Sequence, residues 1–140
     1  MRQIKFRGKR IDQDEWVVGS LVKIIRVNIK FYILPLNTVI DDDSKMFDSL
    51  IEIRPETASQ FTGLVDRNGK EIYEGDIIED KNGIGVIMWF QTAWGVASYA
   101  HGYNGVKSYT AVDSFYCNEV KEWAVIGNIY DNPELLNENQ

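Results

Sequence analysis

The chain has 140 residues, 44% hydrophobic, 26% charged and 12% aromatic, which fits one globular unit or two very small ones and excludes a long array of domains. A lone Cys117 and a lone His101 exclude a tetrahedral zinc site and point to a reducing compartment; no apolar run nears the ~20 residues of a membrane span and no signal-peptide core opens the chain, so the reading is a soluble cytoplasmic protein without membrane contacts. The net charge of −6 argues against a protein coated in nucleic-acid phosphate, yet residues 1–31 sum to +5 (eight basic, three acidic) and residues 32–140 to −11 (seven basic, eighteen acidic).

The dominant period is two, broken by Gly, Asn and Asp every eight to twelve residues, which predicts an all-β protein of short strands with no long helix. In the first of these, Ile4 to Arg7, Ile4 and Phe6 are expected to face a core while Lys5 and Arg7 face water. Arg2, Lys5, Arg7, Lys9 and Arg10 place five cations in the first ten positions with no acid among them. Their plain reading is a solvated strand face; the functional one is a phosphate contact or a docking patch for an acidic surface, including that of a second copy. A turn at Asp12 to Glu15 leads into a strand from Trp16 to Val22, with Gly19 marking a bulge or a close approach. Lys23 to Leu34 alternates as one long strand or turns at Asn28 as a hairpin, the hairpin being preferred. Asp41 to Lys45 reads as a solvated loop, since no cation-loop spacing follows the aspartates.

An extended run from Leu50 to Arg54 ends at Pro55, and Pro55 to Gln60 suits a single helical turn that joins two parts of the chain. Phe61 to Asp66 and Glu71 to Tyr73 flank Asn68-Gly69, which predicts a two-residue hairpin loop with both residues at positive φ. Asp76, after Gly75, reads as an acceptor of backbone N–H groups rather than an acid or base. Strands are expected at Ile77-Ile78, Ile84 to Phe90, Val96 to Ala100, Val106 to Thr110 and Trp123 to Ile129. Asn132-Pro133-Glu134 should cap and open a short C-terminal helix. Residues 61–130 hold 12 of the 17 aromatic residues and suit an SH3-like barrel, with Trp89 and Trp123 in its core and Trp94 and Tyr103 exposed beside glycines. The organisation is then a small β unit at 1–54, a joint at 55–60, the barrel at 61–130 and a short helix and tail at 131–140. A unit of fewer than 60 residues has a marginal core, so this first unit should lean on the barrel or on another copy.

The blocks IKFRGKRIDQDEWVVGSL, RPETASQFTGLVDRNGKEIYEGDII and VIGNIYDNPELL, at the start, middle and end, resemble the YopX family of phage and prophage proteins. The resemblance implies a phage or prophage origin, an N-terminal β region followed by an SH3-like barrel, and self-association. It carries no catalytic motif. Residues 23–50 and 91–120 match none of its blocks.

A Cys117 and His101 pair is the nearest approach to nucleophilic catalysis, but an apolar cysteine and a surface histidine explain both. Gly83-Ile84-Gly85 lacks the following helix that a phosphate-binding loop needs. The expectation is a protein without catalytic residues, metal or cofactor, acting as an interaction module that assembles with itself and binds a host or phage protein. Its candidate contacts are Arg2, Lys5, Arg7, Lys9, Arg10, Trp94 and Tyr103. The alternative is a nucleic-acid-binding or regulatory protein using the basic segment and the exposed aromatics.

Overall fold

A computed structural model describes residues 1–81, 83–90, 93–99, 106–111 and 120–137. The fold is mostly β, built from two antiparallel sheets, and no described helix is long and apolar enough to cross a membrane. The chain forms two compact units, Met1–Phe61 and Thr62–Gln140, so the segment 55–60 belongs to the first. Short 3-10 turns occupy Asp43–Lys45, Phe47–Ser49, Pro55–Thr57 and Pro133–Leu136. Pro opens the last two, where its missing N–H costs nothing. Asn132 does not cap the final turn; its Oδ1 instead accepts the Asn128 N–H at 3.3 Å.

The first sheet contains β1 (Phe6–Lys9), β2 (Trp16–Ile25), β3 (Ile29–Pro35), β4 (Ile51–Glu52), β5 (Ser59–Val65) and β6 (Glu71–Tyr73), in the order β4-β3-β2-β1-β5-β6. The ambiguous run after Lys23 resolves as a hairpin: Ile25 faces Ile29, and the Arg26 N–H donates to the Asn28 carbonyl at 3.2 Å. Gly19 is the close approach that its position in a strand suggests, because a Cβ there would lie 1.9 Å from the Leu34 carbonyl oxygen. The buried apolar side chains of this unit are Ile33, Ile53 and Phe61. Gly8 leaves room for Ile53, whose Cδ1 would sit 2.4 Å from an added Cβ.

The second sheet contains β7 (Asp76–Asp80), β8 (Gly83–Phe90), β9 (Ala93–Tyr99), β10 (Val106–Ala111) and β11 (Ala124–Asn128), in the order β10-β9-β8-β7-β11. Among the described residues β10 and β11 remain edges, so the sheet is open where sequence suggested a closed SH3-like barrel. The hairpin of β5 and β6, counted in the expected barrel, pairs in the first sheet instead. Ile72, Ile78, Ile87, Trp94, Val120 and Trp123 form the core of this unit. Trp123 is buried as expected, but the other two tryptophans exchange roles: Trp94 is 9% exposed and Trp89 47%. The reason is register. β9 already begins at Ala93, so Trp94 is a ladder residue opposite Trp89, and the Trp89 ring covers it edge-on at 4.8 Å and 77°.

The turn between β5 and β6 also differs from expectation. Gly69 has φ 79°, but Asn68 is not in the left-handed region. The bonds Gly69 N–H to Asp66 O (3.0 Å) and Asp66 N–H to Lys70 O (2.8 Å) describe a three-residue loop ending in a glycine bulge. Asp66 selects this geometry. Its Oδ1 accepts the N–H groups of Asn68 (2.8 Å) and Lys70 (2.9 Å), and its Oδ2 accepts the Val125 N–H at 2.9 Å, tying the turn to β11. Burial pushes this carboxyl up, but the N–H groups of Val125, Lys70 and Asn68 and the Lys70 charge outweigh it and hold the pKa below the usual value.

Because the folded pKa of Asp66 is depressed, its stabilisation is complete above the unfolded value near ~3.9 and is lost as pH falls through the folded value. Asp66→Ala, taking the acceptor from three part-buried N–H groups, should cost about 1–3 kcal/mol in urea denaturation at pH 7, and the deficit should shrink toward pH 2. Gly69→Val should cost roughly 1–2 kcal/mol at any pH, through left-handed strain alone.

Candidate functional site

The period of two carries Lys5, Arg7 and Lys9 to one face of the first sheet, as sequence implies, but that face is not bathed in water. Lys5 is 5% and Lys9 7% exposed. The Lys5 ammonium lies 4.6 Å from the centre of the Phe61 ring, and Trp16 takes both the Arg7 guanidinium at 4.7 Å and the Lys9 ammonium at 5.8 Å. Lys9 is also ion-paired with Asp14. Each cation meets the negative face of a ring while its aliphatic stem covers apolar surface, so a strand that reads as solvated becomes an internal stack. Ile4, expected in the core, is exposed instead.

The backbone holds this stack from the other side. Thr57 Oγ1 accepts the Lys9 N–H at 2.8 Å and donates to the Arg54 carbonyl at 2.7 Å, while the Arg54 N–H returns to the Lys9 carbonyl at 2.8 Å. Arg10, of opposite parity, bonds Asp12 at 2.8 Å and approaches Glu15 at 3.7 Å. The Asp12 hydrogen bond raises the pKa of Arg10, and the Arg10 hydrogen bond lowers that of Asp12. Arg2 is exposed ahead of β1. Of the candidate contacts, then, the structure joins Lys5, Arg7 and Lys9, turns Arg10 to local acids, and buries Trp94 in the second unit. Tyr103 lies outside the described residues, as do His101 and Cys117.

A different surface of the first unit emerges at the β2–β3 hairpin. β2 has ten residues and β1 only four, so the ladder between them stops at the pair Phe6 and Gly19. Beyond it the hairpin projects with Ile25, Val27 and Ile29 exposed, Val27 at 99%. Its other face and the 3-10 segment enclose a groove of about 450 Å³, with Ile24, Tyr32, Phe47 and Leu50 as apolar walls and Arg26 and Lys30 at its margin. Lys30 bonds Glu52 at 3.1 Å, a contact that raises its pKa. Residues 16–40 contain Lys23, Arg26 and Lys30 and no acid, a sum of +3, whereas residues 41–48 contain four Asp and one Lys, a sum of −3. That charge step was the available sequence signal for this surface. Phe47 and Leu50, inside a segment with no motif, gave none.

The motif residues themselves do structural work at turns. Asp76 Oδ2 accepts the Tyr73 N–H at 2.8 Å, as its position after Gly75 suggests. Asn128 Oδ1 accepts the N–H groups of Tyr130 and Asp131 at 3.0 Å each, and its amide donates to Asp131. Thr62 donates to the Ile72 carbonyl at 2.8 Å. Such side chains replace the ladder where the chain changes direction.

Comparison with known proteins agrees with these motifs. The family model described as YopX protein matches residues 5–137. No curated protein matches the chain. Among solved structures, the chain is similar to protein EF1440 from Enterococcus faecalis, a crystal structure, at 24% identity and a TM-score of 0.50, covering 97% of this chain and 99% of that one. At that identity the likeness concerns the fold alone.

The shared ring makes Trp16 a test of the stack. Trp16→Ala should destabilise the chain by about 3 kcal/mol in urea, because it uncovers two cations as well as apolar surface, while Trp16→Phe should recover about half of that loss.

Proposed function

The chain belongs to the YopX protein family, and from that footing we propose that it is a phage or prophage accessory protein: a non-catalytic, cytoplasmic β-rich module that assembles with itself through its first unit and binds another phage or host protein. One observation carries this reading. Of thirteen exposed large hydrophobic residues among those described, eleven, from Met1 to Phe47, lie in the first unit, whose buried apolar side chains are only Ile33, Ile53 and Phe61. A unit with more large apolar side chains exposed than fully buried is favoured by covering them. The +3 hairpin and the −3 segment that follows it suit contacts between copies, where each can face the other's opposite.

The nucleic-acid alternative draws less support, since Lys5, Lys9 and Arg10 are already committed to rings and acids within the chain. DNA affinity that falls steeply with added salt would favour it.

Light scattering should show a dimer or larger species at low salt, weakened but persistent at about 0.5 M salt, where charge is screened and apolar contact is not. Val27→Asp together with Phe47→Asp should give a folded monomer. A monomeric wild type at high protein concentration would overturn self-assembly.

A further inference from the structure

The main chain of β2 carries a second binding surface. The Arg10 N–H donates to the Glu15 carbonyl and the Leu36 N–H to the Val18 carbonyl, so odd-numbered residues of this stretch point their backbone groups toward β1 and even-numbered ones toward β3. β1 ends at the pair Phe6 and Gly19. The N–H and C=O groups of Leu21, Lys23 and Ile25 therefore point outward, with no strand beside them among the described residues. The opposite edge of the hairpin is better covered, by β4 and by the Ile53 N–H on the Phe31 carbonyl at 3.0 Å. An open run of Leu-Val-Lys-Ile-Ile is a strong template for strand addition.

Charge decides the occupant. Lys23 stands at the centre of this edge, exposed although its ammonium lies 5.8 Å from the centre of the Phe31 ring, Arg26 and Lys30 lie at the hairpin end, and no acid occurs between residues 16 and 40. Two copies meeting here edge to edge would bring two basic edges together, with Lys23 against Lys23 in the centred register, which is unfavourable. We propose that the β2 edge from Ser20 to Ile25 receives an extended acidic segment of another protein as an added strand, with a carboxylate opposite Lys23 and apolar side chains opposite Leu21 and Ile25. This rests on the reading of the chain as an interaction module and names the chemistry of its partner; self-assembly through the apolar tip and groove is a separate surface.

The probe is the blocked heptapeptide Thr-Val-Thr-Glu-Thr-Val-Thr, whose Glu can face Lys23 while its two Val face Leu21 and Ile25, titrated into the isotope-labelled full chain and followed by amide shifts and amide exchange. Shifts and slowed exchange at Leu21, Lys23 and Ile25 are expected, with affinity about tenfold weaker for the peptide in which Lys replaces Glu. Lys23→Pro should abolish binding while circular dichroism and the unfolding midpoint stay native, because the N–H removed points away from β3. Should that variant unfold, Lys23→Glu keeps the strand and should reverse the preference between the two peptides. No binding at about 1 mM peptide, equal affinity for both peptides, or shifts confined to other strands would overturn the proposal. Loss of wild-type self-association in Lys23→Glu, with retention in the Val27→Asp and Phe47→Asp variant, would also overturn it, making the edge a contact between copies. A monomeric wild type that still binds the acidic peptide would sink the self-assembly reading alone.

Discussion

The architecture depends on satisfying the backbone wherever short strands give out. β1 has four residues, β4 two and β6 three, so ladders end often and leave N–H groups that burial would make costly. Side chains take them: Thr57 at the end of β1, Asp66 between β5 and β6, Asp76 at the start of β7 and Asn128 at the end of β11. Two of these also bind across sequence. Thr57 reaches back 48 residues to Lys9, and Asp66 forward 59 residues to Val125. The turns thus hold the registers of both units, and the strands fill in between.

Much of this was legible in the residues. Alternation and turn chemistry located most strands, Gly19 announced a close approach, and Asp76 announced a backbone acceptor. The Asn68-Gly69 reading failed because the dipeptide preference is local, whereas the Asp66 carboxylate bonds groups on both sides of the loop and favours a different backbone path. Trp94 was misplaced because Gly95 suggested a loop, while the pairing of β8 with β9 continues to Ala93 and turns the indole into the core. Local signals describe what a segment prefers; these two positions were decided by a partner far away or across a ladder.

The basic N-terminal segment failed for a different reason. Counting charge treats each lysine as a point in solvent, but a lysine is mostly hydrocarbon, and a ring beside it can replace part of its hydration. No period in the sequence says that Phe61 and Trp16 will lie over Lys5, Arg7 and Lys9. The consequence is a redistribution of interaction surface: cations that looked available became part of the packing, and the cations of the hairpin, in a segment without motifs, became the exposed ones.

The paired indoles of Trp89 and Trp94 give the second unit an optical property of its own. Two such chromophores 4.8 Å apart and inclined at 77° have coupled electronic transitions, which split an absorption band into a circular-dichroism couplet whose sign follows their handedness. Because the two rings come from facing positions on β8 and β9, the couplet belongs to that ladder and not to the sheet content of the whole chain. Loss of the couplet with the bulk β signal intact would time the parting of those two strands separately from the collapse of everything else.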